Sequence, residues 1–211
     1  MLSPPLSEAL WRANEDLARA CLDHPFVRSL GEGSLPAARF AGYIAQDAFF
    51  LRVFAKAYAL ALARSEDAES SAALRELLEG VLQEIEMHRG YAAELGIDLK
   101  GVEPTPACRA YTDFLMRTAW HGSAAETVAA MTPCLRLYAF LGAVLAREFQ
   151  PPHPYQRWIE TYGSPEFETL AQRLEALLDR TATDTAAVRD CYRYAMQCER
   201  DFFTDANEAT P

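Results

Sequence analysis

The sequence predicts an all-α chain, and three observations carry that reading. Alanine, leucine, arginine and glutamate dominate while β-branched residues are sparse, a composition of helix formers. No alternating apolar and polar stretch of useful length occurs, although a half-buried strand would leave one. Glycine and proline gather into five breaks, Gly31 to Pro36, Gly96 to Pro106, His121 to Ser123, Pro151 to Pro154 and Gly163 to Pro165, and the intervals between them are of helix length.

Taken in order, the first helix is expected near residues 6 to 29, ending at the first break. The second, near 35 to 64, is the clearest, because Phe40, Tyr43, Ile44, Asp47, Phe50, Leu51 and Phe54 recur at three- and four-residue steps along one face. The third, near 67 to 95, carries Glu84 and His88 four residues apart, and the fourth, near 105 to 120, carries Tyr111. The fifth, near 123 to 149, contains Pro133, which cannot donate a backbone hydrogen bond and clashes with the preceding turn, so a kink or break is expected beside Cys134. Shorter helices follow near 152 to 161 and 165 to 180, and a last one near 184 to 205 carries Glu199. No repeat, linker or composition shift divides residues 1 to 211, which are expected to form one domain with 1 to 5 and 207 to 211 frayed.

At 211 residues, half of them hydrophobic, the chain can bury a sizeable core. No run of about 18 uncharged apolar residues and no basic, then apolar, amino end is present. A soluble cytoplasmic protein without a membrane segment is therefore expected. Twenty Lys and Arg against 30 Asp and Glu give a formal charge of -10, and the basic residues do not cluster, which argues against a nucleic-acid partner. Cys21, Cys108, Cys134, Cys191 and Cys198 are odd in number and lack C-x-x-C spacing, so they read as reduced thiols rather than a disulfide framework or zinc site.

Several side chains can carry chemistry, each with a plainer alternative. Asp47 stands among Phe49, Phe50 and Phe54. Burying a carboxylate there is costly unless it is hydrogen-bonded or paired with a protonated group, and the alternative is an acid pointing sideways into water. Glu199, with Met196, Phe202 and Phe203 three and four residues away, poses the same choice. Cys134, sharing a face with Leu137 and Tyr138, is a nucleophile if donors or a base from other helices favour its thiolate, and otherwise a structural thiol. Tyr111 and Tyr162 can sandwich a flat ligand and donate hydrogen bonds, or simply pack. Glu84 and His88 share a helix face and could hold a metal, or make an ordinary side-chain contact.

Together these residues resemble the thiaminase II (TenA) family over nearly the whole chain, from about Trp11 to Phe203. The carrying segments are HPFVRSLGEGSLPAARFAGYIAQDAFFL from His24, EIEMHR from Glu84, AYTDFL from Ala110, MTPCLRLYAFLG from Met131, HPYQRWIETYGS from His153 and CERDFF from Cys198. The resemblance implies a heme-oxygenase-like helical bundle without haem, metal or organic cofactor, assembled as a homotetramer or homodimer. It also implies a small-molecule substrate, a thiamin-derived pyrimidine, notably 4-amino-5-aminomethyl-2-methylpyrimidine, hydrolysed to the hydroxymethyl compound, with thiamin itself as a further substrate of some members.

Carried over residue by residue, the resemblance makes Asp47 the anchor of the pyrimidine, Cys134 the nucleophile and Glu199 the acid/base, with Phe50, Tyr111, Tyr138 and Tyr162 lining the substrate site. Two positions depart from the family pattern: Phe50 stands where a tyrosine is frequent, removing a hydroxyl, and Arg136 stands where an aromatic is frequent. Arg136 is expected near the site or at a subunit contact. Two other readings stay open, a metallo-oxidase on the same scaffold, for which only His88 with Glu84 is available, and a pyrimidine-binding or regulatory protein without turnover.

Overall fold

The computed structural model describes residues 4–94, 96–149 and 152–208. These residues form ten α-helices and no strand: α1 (Leu6–Ala13), α2 (Glu15–Leu22), α3 (Pro25–Gly31), α4 (Ala37–Ala63), α5 (Ala68–Glu94), α6 (Pro106–His121), α7 (Ala124–Glu148), α8 (Gln156–Tyr162), α9 (Pro165–Thr181) and α10 (Ala186–Glu208). The all-α class is as expected from composition.

Caps explain most of the starts. Thr105, Ser123 and Ser164 each accept a backbone N–H two or three residues into α6, α7 and α9, and α6 and α9 open with proline at the first position, where its missing N–H costs nothing. At α7 the cap is reciprocal: Glu126 reaches back to the Ser123 N–H at 2.6 Å.

The first predicted helix is corrected into three. Asn14 leaves helical geometry between α1 and α2, and its buried side chain donates to the Leu10 carbonyl at 2.8 Å instead of extending into solvent. Pro25 disfavours helical backbone at His24, whose ring then caps α3 by accepting the Phe26 N–H at 3.2 Å. The same dipeptide effect at His153–Pro154 delays α8 to Gln156 rather than 152. At the carboxy end α10 continues through Asn207, which accepts from Arg39 at 3.3 Å, so Asn207 and Glu208 are helical rather than frayed. The fraying expected at 1–3 and 209–211 lies outside the described residues.

No break occurs at Pro133; α7 runs unbroken from Ala124 to Glu148. It packs against α4, α6, α8, α9 and α10, and burial on so many sides outweighs the local cost of one lost backbone bond. By length and composition α7 is also apolar enough to cross a bilayer, but 72% of its most apolar 18-residue window is buried inside the bundle.

One contact on α7 sets the place of a candidate site residue. A Cβ on Gly142 would lie 2.3 Å from the backbone carbon of Tyr162 and 2.4 Å from the nitrogen of Gly163. Only glycine lets α7 approach the end of α8 so closely, and backbone atoms cannot rotate aside. Gly142→Ala is expected to destabilise the protein by about 1–3 kcal/mol through overpacking and to displace Tyr162. A shift of the urea midpoint reads the first effect, and an unchanged midpoint would show that α8 moves freely.

Candidate active site

The aromatic face of α4 turns inward: Asp47 and Phe50 are 4% and 3% exposed. Asp47 meets the condition that its burial demands. Its Oδ2 lies 2.6 Å from Nε2 of His88 on α5. The N–H does not point along this line as an aligned hydrogen bond would, so charge attraction dominates the contact. The other ring nitrogen of His88, Nδ1, is 3.0 Å from the Glu84 carbonyl oxygen.

Glu199 on α10 is likewise buried, 2% exposed, and takes a 2.7 Å hydrogen bond from the Tyr111 hydroxyl of α6. The Phe50 ring lies against Tyr111 at 4.8 Å between centroids. Where Phe50 lacks a hydroxyl, Tyr111 therefore supplies the donor that orients the carboxylate. The Cys134 thiol of α7 is close enough for the charge of this carboxylate to act on it.

Across the site, Tyr162 of α8 donates to Glu84 Oε1 at 2.6 Å. Tyr138 stands edge-on to Tyr162 at 4.8 Å and accepts a 3.2 Å hydrogen bond from Tyr43, which itself accepts from the Trp158 indole at 3.3 Å. Asp47, Phe50, Tyr111, Tyr138, Tyr162 and Glu199 are all buried, whereas Cys134 and Glu84 keep accessible surface. Glu84 also borders a cavity of about 210 Å³ between α5, α8 and α9, lined in addition by Gly80, Met87, Thr161, Phe167 and Leu170.

Three of the sequence candidates, Asp47, Cys134 and Glu199, thus come from three helices into one acidic cluster in which the charges of Asp47 and Glu199 act on each other and on the thiol. Burial raises the Glu84 carboxyl to about 7 and the Glu199 carboxyl to about 8, with the negative charge of Asp47 adding to both; the charge of His88 and then the Tyr162 hydrogen bond oppose it at Glu84, and the Tyr111 hydrogen bond opposes it at Glu199. Burial works against the His88 cation, but Asp47, in charge and contact, and then Glu84 prevail and lift it to about 9. Burial, followed by the charges of Glu199, Glu84 and Asp47, holds the Cys134 thiol well above its ordinary range. Nothing in this arrangement stabilises a resting thiolate, so Cys134 needs a proton acceptor at the moment of attack.

These shifts share one sign. In the unfolded chain the two glutamates titrate near 4.5 and the histidine near 6.5, and all three hold their protons to higher pH when folded. The folded state therefore binds more protons, and the contribution from each group is lost as pH rises through about 7, 8 and 9. Thermal melting is expected to fall steadily between pH 6 and pH 9.5; a Tm that rose over this range would overturn the assignment of buried, protonated groups.

Arg136 is placed elsewhere than beside the site. Its guanidinium makes paired contacts of 2.7–3.0 Å with Glu168 and Glu175 of α9, tying that helix to α7. Cys21 and Cys108 are core residues, and Cys198 turns toward the half-exposed Tyr194. His88 has both ring nitrogens engaged, which removes it as a ready metal ligand. Among the described residues no group of three or more His, Cys, Asp or Glu is arranged to hold a metal ion. The sequence reading missed His88 and Glu84 as members of the site, and Tyr43 and Trp158 as supports of Tyr138. The one available signal was that a buried Asp47 requires a protonated partner in a chain with four histidines.

Comparison with known proteins gives five findings. Residues 11–209 match the family described as TENA/THI-4/PQQC. The chain is 36% identical over 211 residues to the thiamine biosynthesis multifunctional protein ThiED of Corynebacterium efficiens, covering 96% of this chain but only 28% of that protein. It is 33% identical over 180 residues to the aminopyrimidine aminohydrolase of Halalkalibacterium halodurans, covering 82% of this chain and 80% of the relative. Among solved structures, a TenA family transcription regulator from Silicibacter sp. TM1040 superposes with a TM-score of 0.90 at 26% identity, over 97% of this chain and 98% of that one. Heme oxygenase-1 of the cyanobacterium Synechocystis sp. PCC6803 shares the fold, with a TM-score of 0.64 at 14% identity over 96% of this chain and 92% of that one.

Proposed function

The chain belongs to the TENA/THI-4/PQQC family, and on that premise we propose that it is an aminopyrimidine aminohydrolase of the thiaminase II type. Its substrate in this reading is 4-amino-5-aminomethyl-2-methylpyrimidine. The observation that carries the reading is the clustering of Asp47, Cys134 and Glu199 among the buried rings of Phe50, Tyr111, Tyr138 and Tyr162. A flat, polar small molecule with an amine to donate suits such a site, because the buried Asp47 carboxylate can accept it.

The geometry supports the following sequence of steps. The exocyclic amine of the ring donates to the Asp47 carboxylate, and Tyr138 and Tyr162 hold the ring plane. Glu199, which keeps its proton to about pH 8, donates it to a ring nitrogen. The carboxylate so formed accepts the proton of the Cys134 thiol, and the sulfur adds to ring carbon C6. The electron pair of the reduced ring expels the ammonium substituent of the 5-methylene as ammonia. Water adds to the exposed methylene, losing a proton, and the sulfur leaves with return of the aromatic ring, so that one water is consumed and one ammonia released.

The assay that tests this measures ammonia and hydroxymethylpyrimidine released by purified protein from the aminomethyl substrate, beside thiamin. Equal release of both products supports the reading, and pyrimidine binding without release leaves a binding protein. The proposed assembly is a homotetramer or homodimer. The proposed compartment is the cytoplasm.

A further inference from the structure

His88 faces a hydrogen-bond acceptor at each end of its ring, the Glu84 carbonyl oxygen at 3.0 Å from Nδ1 and the Asp47 carboxylate at 2.6 Å from Nε2. A carbonyl accepts only, so Nδ1 carries hydrogen. Nε2 then either carries a second one, giving an imidazolium beside a carboxylate, or accepts from a protonated Asp47. The side chains of the pair are 1% and 6% exposed, so solvent does not dilute the choice.

The surroundings decide it. Facing the pair are Tyr43 on α4, Glu84 and Tyr91 on α5, Cys108 on α6, Cys134 and Tyr138 on α7, Tyr162 on α8 and Glu199 on α10. None of these is a cation, and every one that ionises becomes negative. The field therefore favours a positive charge on the ring. Asp47 Oδ2 lies 2.6 Å from His88 Nε2 without an aligned hydrogen bond, so the carboxylate keeps acceptor capacity for a ligand.

We propose that His88 is a positioning residue that, as an imidazolium, keeps Asp47 ionised and leaves its second oxygen as a pure acceptor, so that the site selects a ring with an amine at position 4 over one with an oxygen there. The substrate half of this statement rests on the function proposed above. A carboxylate accepts from a 4-amino group and repels a 4-oxo group, whereas a protonated Asp47 could donate to the oxygen. His88 does not touch the substrate; it acts through Asp47.

Two measurements test it. In ligand-free protein, ¹⁵N NMR of the histidine ring at pH 7.5 is expected to show both His88 nitrogens protonated, with one proton lost in Asp47→Asn; a neutral ring in the wild type overturns the proposal without reference to any substrate. In calorimetry with 4-amino-5-hydroxymethyl-2-methylpyrimidine and its 4-oxo analogue, His88→Gln is expected to lose about 10- to 100-fold of the preference for the amino compound, the scale of a hydrogen bond to a charged group. Equal weakening of both ligands would assign His88 a purely structural role and overturn the proposal. Should the wild type bind neither pyrimidine, the proposed function falls, and with it the selectivity; the NMR result then stands or falls separately.

Discussion

Cys134→Ser is expected to lower turnover by at least roughly 10³-fold while leaving affinity for the hydroxymethyl product within about threefold. The thiol is held well above its ordinary range by burial and by Glu199, Glu84 and Asp47. Even so, its proton is far easier to remove than that of a serine hydroxyl in the same acidic enclosure, and sulfur is the softer nucleophile toward a ring carbon. The hydroxyl occupies less space than the thiol, so the aromatic walls and Asp47 are left in place to bind the ring. Ammonia release under single-turnover conditions, set beside calorimetry of the product, separates the two effects. A variant retaining most of the wild-type rate would rule out covalent addition by Cys134 and return Glu199-assisted attack of water.

The negative charges that act on Cys134 change how the two departures from the family pattern are understood. Arg136 follows Cys134 by two residues, but its guanidinium binds Glu168 and Glu175, so it strengthens the α7–α9 contact and lends nothing to the thiol. Phe50 has no hydroxyl to offer Glu199, and Tyr111 gives the carboxylate its hydrogen bond. Proton transfer from thiol to Glu199 therefore needs Glu199 to have given up its own proton first, which ties attack by sulfur to protonation of the ring.

The helices carrying Asp47, Tyr111 and Glu199 were legible because their apolar faces repeat at the α-helical period and their ends are marked by proline and cap residues. What escaped the sequence has identifiable physical causes. The splitting of the first helix depends on Asn14 bonding its own preceding turn. The continuity of α7 through Pro133 depends on the helices that bury it. Neither is visible in local propensity. His88 was legible only as a helix partner of Glu84, because its true partner, Asp47, lies on another helix, and a spacing of four residues says nothing about contacts between helices. The aromatic set was read as a face, whereas the layered order in which Trp158 supports Tyr43 and Tyr43 supports Tyr138 exists only once α4, α7 and α8 are packed.

Glu199→Gln is expected to reduce kcat by roughly 10²- to 10⁴-fold, the range of a lost general acid, and to remove one limb of the pH profile. In the wild type the acid form must be present, so kcat/KM should fall as pH rises through about 8, where burial and the charge of Asp47 place this carboxyl against the opposing hydrogen bond from Tyr111. The amide keeps an oxygen to accept from Tyr111, so the packing of α10 on α6 is retained and the loss reports on proton transfer. It also relieves the negative charge that acts on Cys134, which should make the thiol more acidic in the variant than in the wild type. Titration of the thiol with a small alkylating reagent measures that change independently of turnover. A residual activity that still declined above pH 8 would assign the alkaline limb to another group. Glu84, held near 7 by burial and bonded to Tyr162, would then be the acid to replace next.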